Sequence, residues 1–489
     1  MVCPDIVTPV DRRPGLPAGR AVVWDDRVRL SGDASVVLGG APWRVLRIAP
    51  AGRDIVRRLR AAGAAGLVPC PGVEEAMADL LLTRGIVHPC AMTGDAAGVD
   101  IVVPAYQRAD QLDACLAALR RTAPGSRIIV VDDASTTPDV GEVAQAHGAV
   151  VLRHDTNRGP AAARNTGLRE ADSPIVAFVD ADCVATDGWL STLMPHFDDP
   201  RVAAVAPRIT ARAGRPGLLA GYEAARSSLD MGRRPELVTP GAPLGFVPSA
   251  TLAVRSSALA GLAGDPFDER MRVGEDVDLV WRLVEAGAMV RYEPASVVSH
   301  DIRPEPLRWA GRIYDYGTSA AELDRRHPGR LTPARLSLWN ALAAALLFLP
   351  WRAAGRLGAA GFVAAGAIRL ARTLKRSAVD PRTAVIITGK RLASDAGATG
   401  HLLRREWWPV GWLALACVRR SRLARAAAAL MLIAPLREWV TERPEVDPPR
   451  YLALRLAEDA AYGTGAIAGA VRSRHPGVLL PRLQRPRGG

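Results

Sequence analysis

The chain has few cysteines, Cys3, Cys70, Cys90, Cys115, Cys183 and Cys417, and none falls into a Cys-x-x-Cys pair or a zinc spacing. This excludes a zinc-organised domain and a disulfide-stapled secreted scaffold, and it fits a reducing compartment. The first fifteen residues carry acids and prolines without an apolar core, so no secretory signal is expected. There is no Gly-x-Gly-x-x-Gly and no P-loop lysine, which argues against a dinucleotide or ATP fold. No uncharged apolar run reaches the roughly 20 residues that a spanning helix needs. Internal repeats and long low-complexity tracts are also missing. The formal net charge is +13, yet no basic stripe is interleaved with aromatics, and no nucleic-acid partner is expected.

The chain does have a series of acidic clusters. Residues 127–131 and 174–179 read as buried parallel strands, and they run directly into Asp132-Asp133 and Asp180-Ala181-Asp182. Carboxylates then sit at carboxyl ends of strands, where open α/β sheets place ligands. An extended segment would point Asp180 and Asp182 to one side, where they can share a divalent cation that neutralises a departing diphosphate. Upstream, residues 99–106 form a strand ending in Pro104-x-Tyr106, and Leu112, Cys115, Leu116 and Leu119 follow at helical spacing, a βαβ start. The small residues after Gly159 let backbone approach a ligand before a helix begins, with Arg164 and Asn165 as pyrophosphate or ribose contacts. Glu275-Asp276 opens another helix, whose buried face is expected at Val277, Leu279, Val280 and Leu283. His300 ends the strand after it.

These residues resemble a known family. Pro104-x-Tyr106, Val131-Asp-Asp-Ala-Ser135, Gly159-Pro-Ala-Ala-Ala-Arg-Asn-Thr-Gly167, Asp180-Ala-Asp182 and Gly274-Glu-Asp-Val-Asp-Leu-Val-Trp-Arg282 are similar to the motif set of family 2 glycosyltransferases with the GT-A fold, over residues 99–316. More narrowly, Arg208-Ile, Tyr222-Glu-Ala, Ser227-Ser-Leu-Asp230, Phe246-Val-Pro-Ser-Ala250 and Tyr292-Glu-Pro294 resemble glycosyltransferases of the mycofactocin system. The resemblance implies inversion by single displacement, with Asp276 as general base and Glu275 beside it. It also implies Mn2+ or Mg2+ at Asp180, Asp182 and His300, and nucleotide contacts from Pro104, Tyr106, Asp132, Asp133, Gly159, Arg164, Asn165 and Asp180. The implied donor is UDP-glucose, and the acceptor a peptide-derived redox cofactor or its precursor, extended to a short oligoglucan. Glu305-Pro-Leu-Arg-Trp309 departs from the Gln-x-x-Arg-Trp of processive synthases, which puts processivity in doubt.

Three domains are expected. Residues 1–95 read as a small winged-helix-like α+β module: a hairpin of 20–24 with 27–30, strands near 35–38 and 43–48, and helices near 54–62 and 73–84. The module resembles PqqD-like peptide-recognition domains, which take a precursor peptide as an added strand. Residues 96–316 form the GT-A domain, an α/β fold. Residues 317–489 form a basic helical region: of the 63 Lys+Arg and 50 Asp+Glu, residues 301–489 hold 31 and 14, leaving 32 and 36 for the rest. Its apolar runs, its arginines and Trp339, Trp351, Trp407, Trp408 and Trp412 read as interfacial or re-entrant helices at a membrane surface, with an ordinary helical domain packed on the catalytic sheet as the alternative. The active site is then expected at the cytoplasmic face of the membrane or in the cytoplasm. A lipid-linked sugar transferase and a non-catalytic docking scaffold are the alternatives. Glycoside hydrolysis needs two carboxylates flanking a bond but no nucleotide strand, and is disfavoured.

Overall fold

The strand and helix periodicities of the sequence reappear in the computed structural model, which describes residues 15–137, 139–212, 217–301, 305–346, 352–376 and 381–484. In the N-terminal module, β1 (Val22–Trp24), β2 (Arg29–Leu30), β3 (Val36–Gly39) and β4 (Arg44–Arg47) precede α1 (Arg53–Ala61), α2 (Val73–Thr83) and β5 (Val87–Pro89). The expected hairpin of 20–24 with 27–30 does not form. Instead β1 pairs antiparallel with β5, Trp24 opposite Val87, while β2, β3 and β4 make a separate sheet. The cause lies at the turn. Asp25 donates its amide to Ile86 O (3.0 Å), and its carboxylate accepts from the Arg27 amide (2.8 Å) and Nε (3.0 Å), so the chain leaves β1 toward the second sheet. Val22, Val37, Leu46, Val56, Leu59 and Leu81 close the core of the module.

The central sheet begins with β6 (Val99–Ala105), α3 (Ala109–Thr122), β7 (Arg127–Asp132), α4 (Asp139–Ala146), β8 (Val150–Arg153), α5 (Pro160–Glu170) and β9 (Ile175–Val179). It continues through β10 (Cys183–Ala185), α6 (Trp189–Leu193), β11 (Val202–Ala211), β12 (Glu236–Val238), β13 (Thr251–Arg255), α8 (Ser256–Ala260), α9 (Glu275–Glu285) and β14 (Met289–His300). Nine strands pair in the order β10-β14-β11-β13-β9-β6-β7-β8, with β12 against β14. β9, β6, β7 and β8 run parallel, the first three on the Val/Ile-rich runs that the sequence marks as strands, and β13 joins them antiparallel. Leu112, Cys115, Leu116 and Leu119 of α3 are all buried on this sheet. These residues and the N-terminal module lie in one compact unit, Val2–Arg215 with Arg226–Ile302. Within it, ion pairs Arg201–Asp79 (2.6 Å), Arg27–Glu236 (2.5 Å) and Arg234–Asp26 (3.0 Å) hold the module to the sheet.

The second unit, Pro216–Ala225 with Arg303–Gly489, is mainly helical. It holds α7 (Leu218–Ala225), α10 (Pro306–Thr318), α11 (Ala320–Arg326), α12 (Leu338–Leu346), α13 (Arg352–Arg376), α14 (Pro381–Arg404), α15 (Trp408–Ala416), α16 (Arg422–Glu442) and α17 (Pro448–Ser473). Leu219, Tyr222, Trp309, Ile313, Val446 and Tyr451 form its apolar centre. Beside them Arg404 and Arg455 converge on the buried Asp459, at 2.8 and 2.7 Å. Trp351 lies outside the described residues. Among the described residues no helix is long and apolar enough to cross a membrane.

Candidate active site

Parallel pairing brings the chemistry to one edge. β6, β7 and β9 end side by side, and two antiparallel steps through β13 and β11 turn β14 the same way. Tyr106, Asp133, Asp180 and His300 therefore all stand at the carboxyl edge of the sheet. Tyr106 is 49% exposed there, after a half-buried Pro104. Gln107, Arg108 and Ala134 adjoin it with φ of 57°, 57° and 61°. Left-handed backbone at non-glycine residues costs about 1 kcal/mol each and is concentrated where a loop is held for function.

Asp132 and Asp133 are both buried, and each is engaged within the chain. Asp132 accepts the Ser135 amide (2.9 Å) and pairs with Arg153. Asp133 takes the amides of Arg158 (2.9 Å) and Gly159 (2.7 Å) and the Nδ1 of His154 (2.7 Å). Gly159, at φ 88°, turns the chain into α5. Asp133 thus fixes the glycine loop at the start of that helix. Arg153 and His154 carried no sequence signal, because what selects them lies about 20 residues upstream.

Arg164 and Asn165, expected as ligand contacts, are both buried in α5 and occupied. Asn165 clamps the Phe267 backbone in both directions, donating to its carbonyl (2.7 Å) and accepting its amide (3.1 Å). Arg164 lies edge-on between two acids, donating to Asp180 (2.6 Å) and Glu275 (2.9 Å), with Phe267 against its guanidinium. Burial alone would lower its pKa, but Asp180, Glu275 and Asp276 more than offset that. In this arrangement Arg164 organises the two acids and Asn165 fixes the Phe267 backbone.

Residues 180–182 form a tight turn, closed by the Cys183 amide on Asp180 O (2.9 Å), and not an extended stretch. The two carboxylates diverge as a result. Asp180 faces Arg164, and Asp182 faces His300, with Oδ2 and Nε2 3.2 Å apart. Register places His300 opposite Cys183 on β10, which brings imidazole and carboxylate together. Among the described residues no third Asp, Glu, His or Cys joins them to complete a metal cluster. One carboxylate and one imidazole suit a cation whose remaining ligands are substrate phosphate oxygens and water.

Gly274, at φ 86°, starts α9, and Val277, Leu279, Val280 and Leu283 are buried as expected. Glu275 is buried, and burial followed by the neighbouring Asp276 pushes its carboxyl up to about 7. Burial also raises Asp276, against the opposing pull of Arg164. Asp276 accepts the Ser249 amide (3.3 Å), and Ala250 accepts the Asp180 amide (2.8 Å), so the start of β13 ties both acids to one frame. The result is a carboxylate of raised basicity beside a cation-bridged acid pair.

The sequence profile of Glycosyl transferase family 2 matches residues 100–259. The chain is 38% identical to the pre-mycofactocin glycosyltransferase of Mycobacterium tuberculosis, over 96% of this chain and 99% of that protein. It is 25% identical to glycosyltransferase AglE of Haloferax volcanii, over 64% and 99%. Among solved structures, the Pyrobaculum calidifontis mannosyltransferase PcManGT in complex with GDP-Man and Mn2+ aligns with a TM-score of 0.41 at 19% identity, over 76% of this chain and 86% of that one. The chain belongs to glycosyltransferase family 2, in its pre-mycofactocin glycosyltransferase branch.

Proposed function

We propose that this glycosyltransferase moves glucose from UDP-glucose to a hydroxyl of mycofactocin or its peptide-derived precursor, with inversion, and then onto the glucose already added. The observation that carries the reading is the shared sheet edge, where Arg164 ties Asp180 to Glu275, with Asp276 next to Glu275 in the chain and Asp182 paired with His300. Asp276 takes the proton from the acceptor hydroxyl. A base works best with a pKa near the operating pH, and burial moves Asp276 that way. Glu275, near neutrality, orients the acceptor or its neighbour. Asp182 and His300 would hold Mn2+ or Mg2+. Such a cation supplies charge neutralisation for a nucleoside diphosphate. Tyr106, Pro104 and the strained turns beside them flank the nucleotide, and Asp132 and Asp133 keep that wall in place.

Residues up to about 95 serve as a PqqD-like module that takes the precursor peptide as an added strand, with the β2–β3–β4 sheet as the candidate surface. The basic helical region works against an anionic membrane surface. Its support is α15, where Val410, Trp412 and Leu413 are 53%, 45% and 65% exposed, followed by exposed Arg419, Arg420, Arg422 and Arg425. That same surface favours a second reading, a lipid-linked acceptor. Incubation with a panel of UDP-sugars and divalent metals, reading UDP release with and without acceptor, tests the donor and the metal. Mass spectrometry of products from peptide-derived and polyprenyl acceptors decides between the two readings. Glucosylation of the peptide-derived acceptor alone supports the first, and transfer only to polyprenyl overturns it.

A further inference from the structure

A small cavity opens where the N-terminal module meets the central sheet, and its polar lining is Arg20, His196, Asp199 and Arg291. The other walls are leucine, proline and valine. Arg20, His196 and Arg291 are only 6%, 4% and 2% exposed. Buried guanidinium groups ordinarily pair with a carboxylate, because an unpaired buried charge is expensive. Among the described residues neither arginine has an ion pair within 4.0 Å. Nη2 of Arg20 has no hydrogen-bond partner, and the side-chain bond of Arg291 is a 4.0 Å contact with Met289 Sδ.

The nearby acids are committed elsewhere. Asp199 accepts the amide (3.0 Å), Nε (2.9 Å) and Nη2 (2.7 Å) of Arg201. Glu293 takes His196 Nε2 (3.1 Å) and the Ala295 amide (3.0 Å). They act on the two arginines from a distance, together with Asp198, but supply neither with a contact. The buried Nδ1 of His196 also lacks a partner. Two arginines and a histidine therefore border one small cavity with no acceptor against the guanidinium groups.

We propose that this cavity is a binding site for a small monovalent inorganic anion of the halide class, chloride in the cell, held by Arg20 and Arg291 with His196 as third donor. With Glu293 on Nε2, a bound anion favours a proton on Nδ1 and offsets the burial that otherwise lowers the pKa of His196. The anion joins a residue of the module, Arg20, to one of β14, Arg291, the strand that ends at His300. It acts as an inorganic bolt between module and sheet, independent of which sugar or acceptor the enzyme uses.

Thermal unfolding of the full chain at fixed ionic strength, with chloride replaced stepwise by gluconate, tests the site. Above the dissociation constant, Tm rises by about 1–2 °C for each tenfold increase in chloride, and Arg20→Met abolishes the dependence. Crystals grown in bromide provide a second measurement that needs no variant: an anomalous peak between Arg20, Arg291 and His196. A Tm indifferent to chloride, an unchanged dependence in Arg20→Met, or bromide absent from the cavity would each overturn the proposal.

Discussion

Replacing Arg164 with methionine keeps the apolar stem of a 4%-exposed side chain and removes its charge together with its donors to Asp180 and Glu275. Asp180 and Glu275 then lose a cation at 2.6 and 2.9 Å, and Asp276 loses the opposing charge that limits its upward shift. Removing one partner from a buried pair costs about 3–5 kcal/mol, mostly as uncompensated charge. Glu275 sets the pH dependence. Its folded pKa, about 7, lies above the value of an unfolded glutamate, so its favourable contribution is fully present below the unfolded value and is lost as pH rises through 7. Without Arg164 the folded pKa climbs further, so the loss becomes larger and extends to higher pH. Urea unfolding at pH 5, 6, 7 and 8 should show a deficit that grows with pH, by up to about 1.4 kcal/mol between pH 6 and pH 8 for this one group. Adding Glu275→Gln removes one of the stranded charges and should restore part of the loss at pH 8. A deficit that is the same at every pH would refute the electrostatic reasoning and leave only a packing defect. So would a double variant weaker than the sum of the single changes.

Further outcomes follow from the same site. The pH profile of kcat/KM should have an acid limb above the ordinary carboxylate range, with rate rising as Asp276 deprotonates, and Arg164→Met should move that limb upward. Asp182→Asn or His300→Ala should raise the Mn2+ concentration needed for half-maximal transfer by about tenfold or more while changing acceptor KM little, as metal titrations of initial rate will show. In the helical unit, Trp412→Ala with Leu413→Ser should lower cosedimentation with vesicles containing anionic lipid. Solution transfer to a soluble acceptor should stay unchanged, and added salt should weaken wild-type binding as well.

Most of the sheet was legible because buried parallel strands announce themselves. Residues 128–131 and 175–179 are uninterrupted apolar runs, and every apolar position picked out on α3 and α9 is buried. The first two acidic clusters were legible for the same reason, since each follows a strand whose end the sequence marks, and Glu275-Asp276 was legible as the start of an amphipathic helix. Partners were harder to see. Nothing local connects Arg164 to Glu275, 111 residues away, or Asn165 to the Phe267 backbone, and polar residues inside a short helix do not announce a partner that lies more than 100 residues downstream. At Asp180-Ala-Asp182 the alternation rule failed because a hydrogen-bonded turn follows Val179, turning Asp180 to Arg164 and Asp182 to His300. The hairpin expected at 20–30 failed because β1 finds β5, whose claim on it comes from more than 60 residues downstream.

The most direct test compares Asp276→Asn with the wild type, measuring UDP-glucose binding by calorimetry and glucosyl transfer by product mass spectrometry on the same preparations. Asparagine keeps the shape and can still accept the Ser249 amide, so donor affinity should stay within about twofold. Transfer should fall by about 10²–10⁴-fold, the usual contribution of a positioned base. Unimpaired transfer in this variant would contradict Asp276 as the proton acceptor, and with it the division of labour across the sheet edge.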